Sequence, residues 1–225
     1  MRRIAITDIH GCAKTFKELL QRIGIGKEDQ LFLLGDYIDR GPRSRAVIDH
    51  IFELQEAGFT VTCLRGNHEQ MLLNSLDNEQ YLPIFTRYGG FETLKSFGAK
   101  DSKDIPAEYL EFFRNLPLYH EIPGYILVHA GLNFVQEDPL DPCQEMIWIR
   151  NWYSDISHEW LDGRKILHGH TPIGLDAIRQ MAEDLEKMKV LNIDAGCVYA
   201  PIPRMGTLCA FDLDSCELVF QANID

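Results

Sequence analysis

The sequence predicts an α/β fold of two mixed sheets packed face to face with helices on the outside. Three observations lead to it. Short apolar runs recur along the chain, the first of them ended by glycine and carboxylate residues; amphipathic stretches at helical spacing separate these runs; and the C-terminal part is rich in further strand-like runs. Strands buried on both faces read as continuous apolar runs, and alternation with helices produces parallel βαβ units.

The elements follow in order. Residues 4–6 form the first strand, and residues 15–23 place Phe16, Leu19, Leu20 and Ile23 on one helical face. A second strand is expected at 31–34, a second helix at 46–54 with Val47, Ile48, Ile51 and Leu54 inward, and a third strand at 61–64. The segment 71–118 is different: it carries scattered aromatics, Arg87-Tyr88-Gly89-Gly90, and a helix at 107–116 stopped by Pro117. Lying between two polar islands, it is expected to form a helical cap that selects substrates. Strands at 124–128 and 165–167 come next, then an amphipathic stretch at 177–188 expected to pack against the core or a sheet edge. Residues 190–193, 207–213 and 218–222 complete the strands, with Asp212-Leu213-Asp214 as a turn between the last two.

Length and composition set limits. The 225 residues, 45% hydrophobic, suffice for one domain spanning 1–225 with a full core, and no linker or repeat divides them. No apolar stretch approaches the roughly 18 residues that span a bilayer. Arg2-Arg3 leads straight into the first strand with no signal-peptide pattern, so a cytoplasmic location without membrane contact is expected. Six cysteines without C-x-x-C spacing are expected as reduced, mostly buried thiols. A net charge of −12 argues against nucleic-acid partners, which need a basic footprint.

The chemistry is concentrated where the apolar runs end. Asp8-Ile9-His10-Gly11 follows the first, Gly35-Asp36-Tyr37-Ile38-Asp39-Arg40-Gly41 the second and Arg65-Gly66-Asn67-His68-Glu69 the third, while His129-Ala130-Gly131 and His168-Gly169-His170-Thr171-Pro172 follow two later ones. Parallel strands bring such clusters together at the carboxyl edge of a sheet, where open α/β folds bind ligands. Carboxylate, imidazole and amide oxygen suit Mn, Fe or Zn rather than a metal that prefers thiolate. One aspartate could bridge two metals about 3.5–4 Å apart, the arrangement of two-metal phosphoryl hydrolases. Two such ions lower the pKa of a shared water toward neutrality and generate hydroxide, arginines match phosphate geometry, and an acid protonates the leaving oxygen.

The order D-x-H-G, G-D-x-x-D-R-G, G-N-H-E, H-A-G and G-H-T, running from Asp8 over nearly the whole chain, resembles the metal-dependent phosphoprotein phosphatases, in their short bacterial branch among the calcineurin-like metallophosphoesterases. The resemblance implies a four-layer α/β/β/α sandwich. It also implies that Asp8, His10 and Asp36 hold one divalent metal ion, with Mn expected and Fe or Zn as alternatives. Asp36 (bridging), Asn67, His129 and His170 would hold the second ion. His68 would be the general acid, with Asp39 hydrogen-bonded to it and favouring its protonated form. Arg40 and Arg150 would clamp phosphate, the latter resting on the shorter match Trp148-Ile149-Arg150. Thr7 departs from the glycine usual in the family, which predicts altered metal affinity.

Other designs fit less well. Cys143 and Arg150 are one residue too far apart for a cysteine phosphatase loop, Asp212 and Asp214 lie too near the C-terminus to build an aspartyl-nucleophile fold, and no G-x-x-x-x-G-K-[ST] loop is present. His50, His120 and His158 are expected to be ordinary residues; His168, two before His170, shares its side of an extended strand. Glu69 is expected to support the site rather than act as a base.

The expected function is phosphomonoester hydrolysis, with phosphoserine and phosphothreonine in a phosphoprotein or phosphopeptide as substrate. The alternative is a bis(5'-nucleosyl)-tetraphosphatase cleaving dinucleoside polyphosphates at the same centre. Asp39 favours the ester, because an anhydride's leaving phosphate needs little protonation and that sister family commonly lacks the acidic residue. A phosphopeptide-binding module without catalysis would be expected to have lost ligands or the acid, and all are in place.

Overall fold

The computed structural model describes residues 1–200 and 202–225. Its strands are β1 (Arg3–Ile6), β2 (Gln30–Leu33), β3 (Thr60–Cys63), β4 (Tyr119–Ile122), β5 (Tyr125–Val128), β6 (Lys165–His168), β7 (Val190–Asn192), β8 (Thr207–Asp212) and β9 (Leu218–Ala222). They form two sheets, ordered β3-β2-β1-β8-β9 and β4-β5-β6-β7. In the first, β1 to β3 are parallel, with Ile4 beside Leu31 and Leu31 beside Val61, and β8 returns antiparallel along β1. In the second, β5, β6 and β7 are parallel and β4 is an antiparallel edge. All the strand-carboxyl loops that matter below leave from the parallel parts.

The two-residue period of a strand sorts side chains into layers. From the first sheet, Ala5, Phe32, Leu34, Leu64, Cys209 and Phe211 face Leu127, Leu167, Leu191 and Ile193 of the second in one buried cluster. Ile4, Ile6, Leu31 and Leu33 point the other way, onto helices α1 (Ala13–Ile23) and α2 (Ser44–Glu56), where Phe16, Leu19, Val47, Ile48 and Ile51 are fully buried. The outer face of the second sheet, Ile126, Val128, Ile166 and Val190, is covered by Met146, Trp152 and Leu161 from short helices and loops. The result is the four-layer sandwich, thinner on the second side. α1 ends at Gly24, whose φ of 56° closes the helix in a left-handed cap.

α3 (Asn67–Asp77) starts directly after β3 and carries its polar island on its first turn. Beyond it, residues 71–118 fold into helices Leu82–Phe85, Phe91–Phe97 and Ala107–Asn115. Most aromatics of this segment serve packing: Phe85, Tyr109 and Phe113 are buried in the cluster that holds α1 and α2, whereas Tyr88 and Phe91 face solvent. Residues 177–188 split into helices Leu175–Glu183 and Leu185–Met188 beside β7; Ile178 and Leu185 enter the intersheet core and Met188 stays outside. β4 was not expected from sequence. Its Tyr-His-Glu-Ile stretch is a half-exposed edge and lacks the apolar run that marks a central strand.

Asp212 ends β8 and Asp214 lies in the turn before β9, where it pairs with Arg3 at 2.6 Å. Cys12, Cys63, Cys197 and Cys209 are buried free thiols, Cys143 is half-buried and Cys216 exposed. Among the described residues no helix is long and apolar enough to cross a membrane.

Candidate metal centre

β1, β2 and β3 deliver Asp8, His10, Asp36, Asn67 and His68 to one end of the sandwich, and β5 and β6 deliver His129 and His170 to the same place. The loops are tied together through the backbone: His10 N–H donates to Asp36 O at 2.9 Å, Gly11 N–H to Tyr37 O at 2.8 Å, and Gly169 N–H to His129 O at 2.8 Å. Asp8, His10, Asp36, Asp39, Arg40 and His170 all adopt left-handed backbone, with φ between 46° and 72°. Each such non-glycine residue costs about 1–3 kcal/mol, and clustering of this kind marks functional sites. Two glycines make the close approach possible. A Cβ at Gly66 would overlap the Asp36 carboxylate and one at Gly169 the Asp8 carboxylate.

The donor atoms fall into two buried groups that share Asp36. His10, Asp36 and His68 have ligand atoms within 4.8 Å of one another, as do Asp36, His129 and His170. His10 Nε2 is 3.5 Å from Asp36 Oδ2, and His129 Nε2 is 3.4 Å from Asp36 Oδ1. Asn67 Oδ1 lies 3.1 Å from His129 Nε2 and 2.9 Å from His170 Nδ1. Asp8 sits at the junction, its Oδ2 accepting from Thr7 Oγ1 at 2.6 Å and from His170 N–H at 3.0 Å.

Tautomers test whether cations fit here. His10 Nδ1 is 2.8 Å from the Ile38 carbonyl, and His129 Nδ1 is 2.9 Å from the Leu34 carbonyl. A carbonyl only accepts, so each Nδ1 carries the proton; His129 Nε2 turns its lone pair toward Asp36 and Asn67 oxygens, while that of His10 meets Arg40 Nη1 at 2.6 Å. His170 Nε2 is buried without a partner. Burial, then Asp8 and Glu69, push the Asp36 carboxyl well above the usual carboxylate range. Lone pairs facing lone pairs in a dry pocket of carboxylates are unfavourable alone and favourable around divalent cations, so these His and Asp groups fit a metal site.

Around this set sits a supporting shell. Glu69 Oε2 accepts from Asp36 N–H and Gly66 N–H at 2.9 Å each, and Oε1 from Tyr37 N–H at 2.9 Å, so it holds the loops in register from beneath. His68 Nδ1 donates to Asp39 Oδ2 at 2.6 Å, which leaves Nε2 facing the centre, 4.0 Å from Asp36 Oδ2. The expectation that Asp39 favours protonated His68 rests on this 2.6 Å contact. Burial, followed by His10 and Arg40, holds the His68 imidazolium well below the ordinary histidine range, and burial pushes Asp39 up.

Arg40 Nη1 comes within 2.6 Å of His10 Nε2, and its guanidinium lies over the Tyr199 ring. Arg150 is exposed and donates to Thr171 Oγ1 at 3.0 Å, next to His170. His168 does not face the centre, because the positive φ at His170 breaks the extended alternation; its Nε2 accepts from Tyr153 Oη at 2.7 Å. Thr7 bonds Asp8 rather than crowding the strand.

Two residues here escaped sequence reasoning. Asp194, buried after β7, is pushed well above the carboxylate range by burial and by Asp8, and accepts from Gly196 N–H at 2.8 Å. Its run 190–193 followed by Asp-Ala-Gly repeats the strand, carboxylate, glycine pattern of the first islands, so the signal was present. Thr93 donates from Oγ1 to Asp39 Oδ1 at 2.6 Å, from a helix 54 residues away in sequence, which no local pattern could reveal.

The calcineurin-like phosphoesterase family model matches residues 1–199. A symmetrical bis(5'-nucleosyl)-tetraphosphatase of Nitrosomonas europaea is 30% identical over 96% of this chain and 75% of its own. The asymmetrical bis(5'-nucleosyl)-tetraphosphatase PrpE of Bacillus velezensis is 27% identical over 86% of this chain and 84% of its own. Among solved structures, the cold-active protein-tyrosine phosphatase of a psychrophilic Shewanella superposes with a TM-score of 0.66 at 19% identity, over 99% of this chain and 78% of that one, which shows a shared fold.

Proposed function

The chain belongs to the calcineurin-like phosphoesterase family, and from that membership we propose that it hydrolyses a phosphoanhydride of dinucleoside polyphosphates, specifically bis(5'-nucleosyl) tetraphosphates, at a centre of two divalent metal ions. The observation that carries the substrate class is the match along almost the full chain to relatives named for that substrate. Relatives of both symmetrical and asymmetrical designation match, so the proposal stops at the tetraphosphate and leaves the cleaved bond open.

Asp8, His10 and Asp36 would hold one ion and Asp36, Asn67, His129 and His170 the other, with Mn proposed on the donor set and Fe or Zn compatible with it. When bound, such ions supply Lewis acidity at phosphoryl oxygens and lower the pKa of water toward neutrality. The chain itself does the rest. Arg40 and Arg150 would bind and orient the phosphate chain against a surface whose net charge of −12 would otherwise repel it. His68, held by Asp39, presents Nε2 toward the leaving oxygen.

This reading replaces the expected phosphoserine and phosphothreonine phosphatase. Asp39 is also held in the turn: it accepts from Thr93 Oγ1 and His68 Nδ1, and its own N–H donates to Thr93 Oγ1 at 2.8 Å. A phosphomonoesterase reading keeps one observation in its favour, the buried His68–Asp39 pair, which suits protonation of a poor alkoxide leaving group. The deciding experiment is initial rates of Mn-reconstituted protein on diadenosine tetraphosphate, a phosphoserine peptide and a phosphotyrosine peptide. Preference for the dinucleotide supports the proposal, and preference for either peptide overturns it.

A further inference from the structure

We infer that the cavity beside Arg150 is a nucleoside seat, which takes one base of the dinucleotide while the phosphate chain runs past Arg150 to the metal centre. This rests on the proposed substrate class and adds a binding site to it.

Position comes first. The cavity, of about 390 Å³, is lined by Ala130, the residue after His129, and by Thr171, the residue after His170. Both second-sheet loops that feed the centre therefore also wall the cavity. Arg150 belongs to its lining and is tethered to Thr171 Oγ1, so the guanidinium stands where a phosphate chain leaving the centre would enter.

Chemistry comes second. A volume near 390 Å³ falls within the roughly 300–1,000 Å³ of small-molecule pockets. Apart from Arg150, no lysine or arginine is among its lining residues, so the interior suits an uncharged group rather than phosphate. Ile149, Ile173, Trp152 and Tyr153 give it apolar, largely planar walls.

The walls are also fixed in advance. Trp152 Nε1 donates to Ala130 O at 3.1 Å, and the Trp152 and Tyr153 rings meet edge to face at 5.0 Å. His168 Nδ1 is 3.0 Å from the Gly169 carbonyl, so it carries the proton and Nε2 accepts from Tyr153 Oη. Buried His168 thus acquires a purpose: it locks the Tyr153 ring, which remains 37% exposed and offers a face for stacking. The Asn192 amide is already used on Thr171 O and Asp194 N–H.

The test is titration calorimetry of the Mn-loaded protein with AMP, ADP and ribose 5-phosphate, in the wild type and in Tyr153→Ala and Ser154→Trp. Ser154 is an exposed wall residue, so a tryptophan there fills the cavity without entering the core. The better nucleotide is expected to bind about 10-fold or more tighter than ribose 5-phosphate in the wild type, and that ratio to collapse toward one in both variants. Equal binding of nucleotide and ribose 5-phosphate by the wild type, or a ratio unchanged in variants with native circular dichroism, overturns the seat. Diadenosine tetraphosphate turnover is scored separately: its absence with an intact nucleotide preference rejects the substrate class and keeps the seat.

Discussion

His68 Nδ1 lies 2.6 Å from Asp39 Oδ2, and side-chain exposure is 1% for the histidine and 0% for the aspartate. A pair this dry is rigid, and it fixes which imidazole nitrogen faces the metal centre. If Nε2 delivers a proton to the leaving oxygen, His68→Asn should slow alkyl phosphates by roughly 10²–10⁴-fold. Loss on diadenosine tetraphosphate and aryl phosphates, whose leaving groups are stable anions, should be much smaller. Rates across a leaving-group series measure this, and equal loss on all substrates would show that His68 does not act as the acid.

Thr93 extends the same pair. Its Oγ1 donates to Asp39 Oδ1 and stands 3.0 Å from Ser44 Oγ, all buried. Thr93→Val keeps the shape and removes the donor, leaving a buried carboxylate one partner short. A fall of about 10-fold in alkyl-ester turnover is expected, with Thr93→Ser restoring it. A merely structural role would instead appear as lowered melting temperature with an unchanged leaving-group slope.

Much of this centre could be read from sequence because each donor follows directly on a strand, and strand ends in parallel sheets converge by geometry. The βαβ order fixed which islands would meet, and Gly66 and Gly169 mark where carboxylates must pass close to backbone. What stayed hidden has three physical causes. Thr93 acts across a long sequence separation, from a segment that reads in sequence as a substrate-selecting cap. His168 and His170 part company because the extended geometry that puts them on one side ends at His170, whose φ is 71°. Substrate class was hidden for a third reason: one metal centre serves esters and anhydrides alike, so the choice lies in the walls around it.

Glu69 tests how much of the site's stability lies beneath it. Its carboxylate accepts three N–H groups at 2.9 Å from Asp36, Tyr37 and Gly66, and is fully buried. Glu69→Ala strands those donors, with a cost on the order of 3 kcal/mol or more. Denaturant unfolding of metal-free protein reads it without interference from the ions. A loss below about 1 kcal/mol would mean that water replaces the carboxylate.

Acid sensitivity should come in part from a place far from the centre. Arg2 Nη2 is 2.6 Å from Asp29 Oδ2, and the Arg2 and Gly26 N–H groups donate to the same carboxylate. The Arg2 guanidinium, through its hydrogen bonds, holds the Asp29 carboxyl well below the usual carboxylate range. The unfolded chain then binds a proton near pH 4 while the native state does not, so this contribution is complete above about pH 4 and fades as pH falls further. Asp29→Asn should lose about 2 kcal/mol at pH 7, and the gap from wild type should narrow below pH 4. A gap constant down to pH 3 in urea titrations would contradict the assignment.

Asp36 is proposed to serve both ions. It is the member common to the two donor groups, its Oδ2 turned toward His10 and its Oδ1 toward His129. Oδ1 also accepts from His68 N–H at 3.1 Å, so the side chain is fixed by the first turn of α3. Asp36→Asn keeps the size but makes one arm an NH2 donor with no lone pair to share, and removes the charge that opposes two cations. Both ions should therefore weaken together, by 10-fold or more each on the order of a lost charged ligand. Elemental analysis after dialysis against a fixed Mn concentration reads the stoichiometry directly. Retention of two ions per chain would show that Asp36 does not bridge, whereas loss of only one would assign it to a single group and leave Asp8 as the link between them.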